Sequence, residues 1–421
     1  MSRCRRAGLM LSLFLMPLVA TTCTVEAPPE RSCTPSAEAA DCGAASSESP
    51  APSRGVVFRT WAPANERVGV IPRPDALEAA RHFDLIVVSP SSVDAKDLAA
   101  MRRLDPELRI LAYMNGAFAQ ARQGQAYPDS WYARDANGSK VRSVGYGNWL
   151  MDVTEHGWID DRALTCERLL TVGLDGCMLD LLGTAPLLPG YATGIPIDAR
   201  THDAWRAEEW LAATSDIART VQRLVRPAIV IGNGLASGPR FFDAAAPSSV
   251  LLDGVRGGIA EGWLRSSRQE IDAHPTLAAW LLDIEMLSTA GRHGKTVLVL
   301  TKAWAHGTRH QKDRLHEYAL ASFLLGMEGD AYFHFSYSPR SDPIHPHPWW
   351  DPDIGRAIES YGIVDGIYRR RFTRGLVLVN PTDETRTLQL DGAFVDLRGT
   401  PIRSATLSPR NGLVLLRASG A

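Results

Sequence analysis

The sequence has no excess of charge of either sign and only one long hydrophobic run. Its 45 Lys and Arg residues nearly balance 47 Asp and Glu residues, which leaves a formal net charge of -2 over 421 residues. Nucleic-acid-binding domains carry a basic patch or stripe, so we expect no nucleic-acid partner. The one long hydrophobic run lies at the N-terminus, which excludes a protein with several membrane-spanning helices.

Common catalytic and metal-binding motifs are also missing. The six cysteines contain no CxxC pair, so the usual zinc and redox spacings are absent. The sequence has no GxSxG elbow, no HExxH helix and no P-loop. His345 and His347 flank a proline in an extended segment, which is a poor metal-binding pattern. We therefore predict no metal and no cofactor, and keep a metal-dependent hydrolase using this segment as a third functional hypothesis.

The N-terminus has the pattern of an export signal. Arg3, Arg5 and Arg6 precede the apolar run Leu9–Ala20, which has the length of a signal-peptide core and is short for a bilayer span. Cleavage after this run would give a secreted protein, whereas lipid attachment at Cys23 would give a lipoprotein. We assign residues 1–22 to a signal peptide. The predicted location is outside the cytoplasm, secreted or lipid-anchored at a bacterial cell envelope.

A linker and a cysteine pair follow. Residues 23–54 are rich in Ala, Ser, Pro and Glu and lack large apolar side chains, so we expect a disordered tether. Cys166 and Cys177 lie in apolar surroundings farther along the chain. Two buried thiols and one disulfide are both compatible with that pattern, because export permits disulfides.

Eight short apolar runs, most of them separated by amphipathic stretches, occupy residues 55–360. They are Val56–Phe58, Leu85–Val88, Ile110–Tyr113, Cys177–Asp180, Ala228–Ile231, Gly258–Ala260, Thr296–Leu300 and Ala331–Phe335. Continuous apolar runs with helices between them are typical of parallel strands covered on both faces. Eight such units match a (β/α)8 TIM barrel, and we predict that this α/β fold forms the catalytic domain. A doubly wound sheet is the alternative, although no glycine-rich phosphate turn follows the first run.

The pattern changes after residue 360. Gly375–Asn380, Arg386–Leu390 and Gly412–Leu416 read as short strands, with turn signals such as Asp391-Gly392 between them. We predict a small antiparallel β-domain over residues 361–421.

The candidate catalytic residues stand where barrel strands end, because active sites of such barrels lie at that face. The fourth run ends in Asp180 and the sixth is followed by Glu261. Two carboxylates from different strand ends suffice for glycoside hydrolysis. We predict that Asp180 is the nucleophile or base and that Glu261 is the general acid/base. The structural alternatives are a cap or ion pair for Asp180, and pairing with Arg256 or Arg265 for Glu261.

Further strand ends and loops supply groups that can bind sugars. We predict substrate-binding roles for Tyr113, Asn115, Asp152, Asn233, Trp263, Lys302 and His334. The polar side chains would bind hydroxyl groups, and the indole would stack on the apolar face of a sugar ring. Capping of the next helix is the alternative role for Asp152, and ordinary loop packing is the alternative for Trp263.

Several segments resemble a known family. Leu111–Asn115, Asn148–Val153 and Gly173–Asp180, the last with the pattern GxDGxxxD, resemble the hypothetical glycosyl hydrolase-like family 15. They are similar more broadly to the galactosaminidase-type family 114 barrels. Phe372–Pro381 resembles the small β-domain that follows many glycosidase barrels. The resemblance implies a glycosidase-like barrel, a carbohydrate substrate and a catalytic role for Asp180, whereas Glu261 rests on the strand count alone.

These features predict an exported glycoside hydrolase that acts on a polysaccharide or oligosaccharide as a monomer. Its only predicted membrane contact is the lipid that Cys23 would carry. The alternative is a non-catalytic carbohydrate-binding lipoprotein on a degenerate barrel. That protein would keep the aromatic side chains and tolerate loss of either carboxylate. The presence of both Asp180 and Glu261 favours the enzyme.

Overall fold

The computed structural model describes residues 57–62, 73–91, 93–120, 127–267, 269–337, 349 and 352–418. The predicted signal peptide, the tether with Cys23 and the segment with His345 and His347 lie outside these ranges. Ala51–Ala421 forms one compact unit. In the part of the chain that is described, no helix has both the length and the apolar character needed to cross a membrane.

Eight parallel strands form a barrel, here numbered along the chain together with a small inserted ribbon. They are β1 (Trp61–Ala62), β2 (Leu85–Val88), β3 (Arg109–Asn115), β6 (Gly176–Asp180), β7 (Ile229–Asn233), β8 (Gly257–Ala260), β9 (Thr296–Lys302) and β10 (Ala331–Ser336). The ribbon pairs β4 (Phe118–Ala119) with β5 (Trp149–Leu150). A parallel bridge between Thr60 and Phe333 joins the last strand to the first. The predicted TIM barrel is confirmed.

Helices connect the strands and cover the outside of the barrel. They are α1 (Arg73–His82), α2 (Ala95–Leu104), α3 (His156–Leu170), α4 (Ala207–Val225), α5 (Gly238–Phe241), α6 (Leu277–Arg292) and α7 (Arg309–Gly326). Local capping chemistry explains several helix starts. Asp94 accepts the N–H groups of Lys96 and Asp97 at 2.8 Å each, and Thr308 forms a capping box with Gln311 at the start of α7.

The barrel interior is filled by a separate apolar layer. Its buried members are Trp61, Leu85, Val87, Leu111, Met178, Ile231, Ile259, Leu298, Leu300 and Tyr332. The strands approach closely at two glycines, because a Cβ on Gly176 or Gly257 would lie 2.0 Å from a carbonyl oxygen of the neighbouring strand. Polar side chains such as Asp180 and Asn233 lie beyond this apolar layer, at the carboxyl ends of the strands.

The first strand begins later than the sequence predicts. Val57 and Phe58 lie outside β1, and Val57 is exposed and makes an isolated bridge to Arg356. The strand that enters the barrel carries Trp61, whose indole N–H donates to the carbonyl of Val299 at 2.9 Å. The apolar run Val56–Phe58 has the stronger strand pattern in the sequence, but the side chain that fills the barrel interior is the indole of Trp61.

A disulfide joins Cys166 on α3 to Cys177 on β6. Both cysteines are fully buried, so the bond lies in the core between the barrel and its helical cover. The structure thus decides between the two alternatives that the sequence left open, and it fastens α3 to the strand that ends in Asp180.

Removing this disulfide should lower stability markedly. The bond closes a loop with a sequence separation of 11, and the loss of that constraint on the unfolded chain is worth about 2–4 kcal/mol. We expect Cys166→Ala/Cys177→Ala to unfold at a correspondingly lower urea concentration than the wild type. Wild-type protein unfolded with a reductant present is the control, because it keeps both side chains. Equal urea midpoints for all three samples would contradict the prediction.

The C-terminal strands form the predicted small antiparallel sheet. In spatial order they are β11 (Gly362–Val364), β12 (Ile367–Phe372), β13 (Gly375–Asn380), β16 (Asn411–Arg417), β14 (Arg386–Asp396) and β15 (Pro401–Leu407). The sequence predicted β13, β16 and the first part of β14. It missed β12 because three consecutive arginines interrupt its apolar pattern. One of them, Arg370, is fully buried against the end of α7.

Candidate active site

Asp180 is the last residue of β6, and its carboxylate is held by three donors. Tyr113 donates its hydroxyl to Oδ2 at 2.7 Å, and the side-chain nitrogen of Asn233 donates to Oδ1 at 2.6 Å. The backbone N–H of Leu181 donates to the same Oδ1 at 2.8 Å. Leu181 adopts a left-handed backbone with φ 62, which costs about 1–2 kcal/mol for a residue with a side chain. The chain therefore stores strain at the residue that follows the carboxylate.

Glu261 follows β8 and shares a donor with Asp180. The side-chain nitrogen of Asn233 donates to Glu261 Oε1 at 2.9 Å, and Lys302 Nζ donates to Oε2 at 2.7 Å. An amide NH₂ group has two hydrogens, so Asn233 can serve both carboxylates at once. Because Asp180 Oδ1 and Glu261 Oε1 contact the same Asn233 nitrogen, these two oxygens lie within about 5.5 Å of each other.

The two arginines that could have paired with Glu261 do not contact it. Arg265 is buried and donates to the backbone carbonyls of Gln269, Glu270 and Ile271. The backbone N–H of Arg256 donates to Gln222 near the start of β8, at the other end of the strand. Glu261 is thus held by Asn233 and Lys302.

The environment of Asp180 disfavours its charge. Burial, and next the neighbouring carboxylate of Glu261, raise the pKa of Asp180 to about 6, although Tyr113, Asn233 and the Leu181 N–H act in the opposite direction. Glu261 is more open, because 40% of its side chain is exposed. The two carboxyl groups therefore have different surroundings, one buried and one accessible.

Asn115 and Lys302 complete the group. The backbone of Asn115 pairs with Asp180 in the sheet, and its side-chain nitrogen lies 3.5 Å from the Tyr113 hydroxyl. Lys302 lies with its ammonium 5.0 Å from the centre of the Trp304 ring. We call Tyr113, Asn115, Asp180, Asn233, Glu261 and Lys302 the carboxylate cluster. Six of the nine residues predicted for the site are therefore brought together, from five neighbouring strands.

Trp263 does not line the site, contrary to the expectation from the sequence. Its side chain is fully buried, and its ring packs edge-on against Phe323 and Phe333 at centroid distances of 6.3 and 6.2 Å. The indole N–H donates to the backbone carbonyl of Asp283 at 3.0 Å. The ring points into the core behind the strand, where a sugar has no access.

The contacts described for Asp152 and His334 are with residues outside the carboxylate cluster. Asp152 accepts the backbone N–H and the hydroxyl of Thr154 at 2.9 and 2.7 Å, so it stabilises the turn before α3. The cap of α3 itself is Glu155. The His334 ring lies 5.8 Å from the Trp61 ring, and burial lowers the pKa of His334 to about 4. A neutral imidazole therefore packs against Trp61 at neutral pH.

Some contributors to the site carry no sequence signal. The Leu181 N–H is one of them, because it acts through its backbone. Outside the carboxylate cluster, one sequence signal went unused: Asp283 interrupts the apolar face formed by Trp280, Ile284 and Leu287 on α6. A carboxyl on that face has to find hydrogen-bond donors in the core.

The described residues contain no group of three or more His, Cys, Asp or Glu side chains that could hold a metal ion. The segment with His345 and His347 lies outside them. The carboxylate cluster has two carboxylates, one ammonium, two side-chain amides and a phenol. Such a set supports acid/base and nucleophilic chemistry on a polar substrate without a metal ligand set.

The fold is similar to solved glycoside hydrolase structures. A maltogenic α-amylase, AmyB from Thermotoga neapolitana, is 11% identical and has a TM-score of 0.51 over 85% of this chain and 98% of that chain. Amy13B from Eubacterium rectale is 9% identical, with a TM-score of 0.51 over 87% of this chain and 97% of that chain. At these identities the similarity concerns the fold.

A third structure is the glycoside hydrolase domain of PelA from Pseudomonas aeruginosa. It is 14% identical and has a TM-score of 0.44 over 66% of this chain and 95% of that chain. Among curated protein sequences, none matches this one. The family model of hypothetical glycosyl hydrolase family 15 matches residues 102–376, a range that includes every member of the carboxylate cluster. The chain therefore belongs to hypothetical glycosyl hydrolase family 15.

Proposed function

We propose that this protein is an exported glycoside hydrolase that cleaves a polysaccharide with retention of anomeric configuration, using Asp180 and Glu261. The observation that carries the proposal is the Asn233 nitrogen shared by the two carboxylates, which keeps one oxygen of each group, Asp180 Oδ1 and Glu261 Oε1, within about 5.5 Å of the other. Retaining glycosidases have carboxyl groups about 5–5.5 Å apart, whereas inverting enzymes need ~6.5–9.5 Å to admit a water molecule.

The reaction proceeds in two displacements. Asp180 attacks the anomeric carbon, and the bond from that carbon to the leaving oxygen breaks as Glu261 donates its proton to that oxygen. The product of this step is an ester between the sugar and Asp180. Glu261, now a carboxylate, then removes a proton from water, which attacks the same carbon and releases Asp180.

The neighbouring side chains fit these two roles. Tyr113, Asn233 and the Leu181 N–H all donate to Asp180, so they stabilise the carboxylate that attacks and that is regenerated. Lys302 Nζ donates to Glu261 Oε2 at 2.7 Å, so it orients the side chain that transfers the proton in both displacements. Asn115 lies at the edge of the same group and is available to orient a sugar hydroxyl.

Export and a polymeric substrate have separate support. The disulfide between Cys166 and Cys177 is of the kind that persists in oxidising compartments outside the cytoplasm. The N-terminal signal pattern points to the same location, and Cys23 is the residue that would carry a lipid. An enzyme outside the cytoplasm meets sugars mainly as polymers of the cell envelope or of the surroundings, which is why we propose a polysaccharide substrate.

Release of reducing sugar from a panel of polysaccharides tests the proposal. The protein from Ala51 to Ala421 would be incubated with bacterial and plant polysaccharides, including amino-sugar polymers, with Glu261→Gln as the inactive control. We expect the wild type to cleave one polymer class, and NMR of the first product to show the anomeric configuration of the substrate. Tight binding without cleavage would instead favour the carbohydrate-binding lipoprotein. Cleavage that Glu261→Gln leaves intact would refute the role of Glu261.

The pKa of Asp180 predicts the acidic limb of the pH profile. Asp180 attacks only when ionised, and its pKa is raised to about 6. We therefore expect kcat/KM to fall about tenfold per pH unit below about pH 6. Initial rates between pH 4 and pH 8 on the identified substrate measure this limb. A rate that stays constant down to pH 4 would exclude Asp180 as the attacking group.

A further inference from the structure

A buried carboxyl on α6 has no role in the two displacements. Asp283 is 2% exposed, and its two oxygens bind two different loops. Oδ1 accepts the backbone N–H of Gly238 at 2.6 Å, and Oδ2 accepts the backbone N–H of Leu264 at 3.1 Å. Burying a carboxyl is costly, so its retention on an apolar helix face calls for a function that an apolar side chain could not perform.

The two loops are the ones that follow the active-site strands β7 and β8. Gly238 opens α5, just after the turn that follows Asn233, and Leu264 ends the turn that begins with Glu261. Each loop contains a residue with a left-handed backbone, Ala236 and Leu264, both at φ 62. Such strained turns persist only where the surroundings hold them.

Helix α6 contacts both loops closely. A Cβ on Gly238 would lie 2.2 Å from the backbone carbon of Leu282 and 2.3 Å from the nitrogen of Asp283, so only glycine permits this approach. On the other loop, the Trp263 indole donates to the carbonyl of Asp283 at 3.0 Å. The loops also meet directly, since the Gly262 N–H donates to the Ala236 carbonyl at 2.8 Å.

We propose that Asp283 is a positioning residue: by binding the loops after β7 and β8 together, it sets the separation of Asn233 and Glu261. The effect on catalysis rests on the proposed function, whereas the link between the loops does not. Asn233 donates to Glu261 at 2.9 Å across this junction, and a hydrogen bond of this kind weakens steeply when its atoms move apart. Loosening either loop therefore disturbs the pair of carboxylates without removing a group that touches substrate.

Asp283→Asn is the discriminating variant, because it keeps the volume of the side chain and loses one acceptor. The remaining oxygen can bind one loop N–H, and the new NH₂ group opposes the other. Amide hydrogen exchange of the full chain, read by mass spectrometry on peptides spanning 234–241 and 261–267, measures each loop. We expect at least one of the two peptides to exchange about tenfold or more faster than in the wild type.

Kinetics on the identified substrate give the second measurement. We expect kcat of Asp283→Asn to fall about 10- to 100-fold with KM changed less than about threefold, because orientation of the catalytic pair is lost while the binding groups stay. Ser288→Ala is the matched control: it removes another buried polar group from α6, one that donates to the Gly326 carbonyl at 3.2 Å on the side of α7. Ser288→Ala should leave both loop peptides unchanged.

The two readouts separate the possible failures. A wild type that cleaves no glycan defeats the proposed function, while the exchange measurement still tests the link between the loops. Unchanged exchange in both loop peptides of Asp283→Asn overturns the positioning role, as does an equal loss of kcat in Ser288→Ala. If Asp283→Asn fails to fold, Gly238→Ala separates the first loop from α6 without touching the carboxyl. That variant should show the same faster exchange and the same fall in kcat, and normal values for both would refute the proposal.

Discussion

Replacing Asp180 with Asn is expected to lower kcat by about 10³-fold or more while the protein stays folded. An amide keeps the shape of the carboxylate but cannot attack the anomeric carbon. Its oxygen still accepts a hydrogen bond, so the packing around β6 should persist. Reducing-sugar release on the substrate found in the panel measures the loss. Asp216→Asn is the control, because that carboxylate is exposed on α4 and pairs only with Arg219 in the described structure.

The stability of Asp180→Asn relative to the wild type is expected to depend on pH. Folding raises the pKa of Asp180 from 3.8 to about 6, so the folded state binds the proton more tightly than the unfolded state. Its contribution to stability is therefore present below the unfolded pKa and is lost as pH rises through about 6. At neutral pH the wild type bears this cost and Asp180→Asn does not. We expect the variant to be at least as stable as the wild type at pH 7, and relatively less stable at pH 4.

Two outcomes would contradict the assignment of Asp180. Retained activity in Asp180→Asn would show that another group attacks. The second test uses Asp180→Gly with added azide, which takes the place of the missing nucleophile. We expect a glycosyl azide of the opposite anomeric configuration, whereas an azide product from Glu261→Gly should keep the configuration of the substrate. If the inverted azide product came from Glu261→Gly and the retained one from Asp180→Gly, the two catalytic roles would be reversed. Melting curves of the variants at pH 7 and pH 4 would show whether a loss of activity is due to unfolding.

Removing the buried Arg370 is expected to cost about 3–5 kcal/mol of stability. Its guanidinium is fully buried and donates from one nitrogen to the carbonyls of Leu324, Leu325 and Met327 at 3.1, 3.0 and 2.8 Å. It also donates to the carbonyl of Glu359 at 2.9 Å and pairs with the carboxylate of Glu328 at 3.1 Å, so its removal breaks a buried ion pair. The Arg370 side chain thus links the C-terminal antiparallel sheet to the end of α7. In Arg370→Met, those carbonyls lose their donors inside the protein.

Arg371 provides the matched control for this prediction. It is the next residue on β12, its side chain is 56% exposed, and it pairs with Glu359 at 2.7 Å. Surface ion pairs of this kind contribute about 0–1 kcal/mol, so Arg371→Met should unfold close to the wild type. Urea unfolding followed by tryptophan fluorescence compares the three proteins. Equal losses in the two variants would show that burial of Arg370 adds nothing to the stability of this contact.

Much of the fold could be predicted from local sequence patterns. Buried parallel strands need continuous apolar residues, and seven of the eight runs coincide with barrel strands. The exception is Val56–Phe58, because the strand that follows it, β1, consists of Trp61 and Ala62 alone and lacks an aliphatic run. In the C-terminal antiparallel sheet, β12 was not predicted because its arginines look like surface residues, whereas Arg370 is buried and binds carbonyls at the end of α7. A buried arginine looks like a surface residue until the acceptors around it are known.

The candidate site divides in the same way. The order of the strands placed Asp180, Asn233, Glu261 and Lys302 at one face, because parallel strands of a barrel end together. The strand order alone could not predict the orientation of Trp263. This residue follows β8, but its side chain is buried in the core outside the barrel. Counting along the chain did place His334 on β10, but it could not show that its ring packs beside Trp61 or that Asp152 binds Thr154.

The sequence by itself determined the class of fold, the strand ends that carry carboxylates and the absence of common metal and nucleotide motifs. These features depend on the period of apolar residues and on nearest neighbours, which a chain displays directly. The tertiary structure alone decided that Asn233 joins Asp180 to Glu261, that Cys166 bonds to Cys177, and that Asp283 binds two loops from behind. Each of these contacts joins residues distant in sequence over a few ångströms, and only the packing of strands and helices against one another sets such distances.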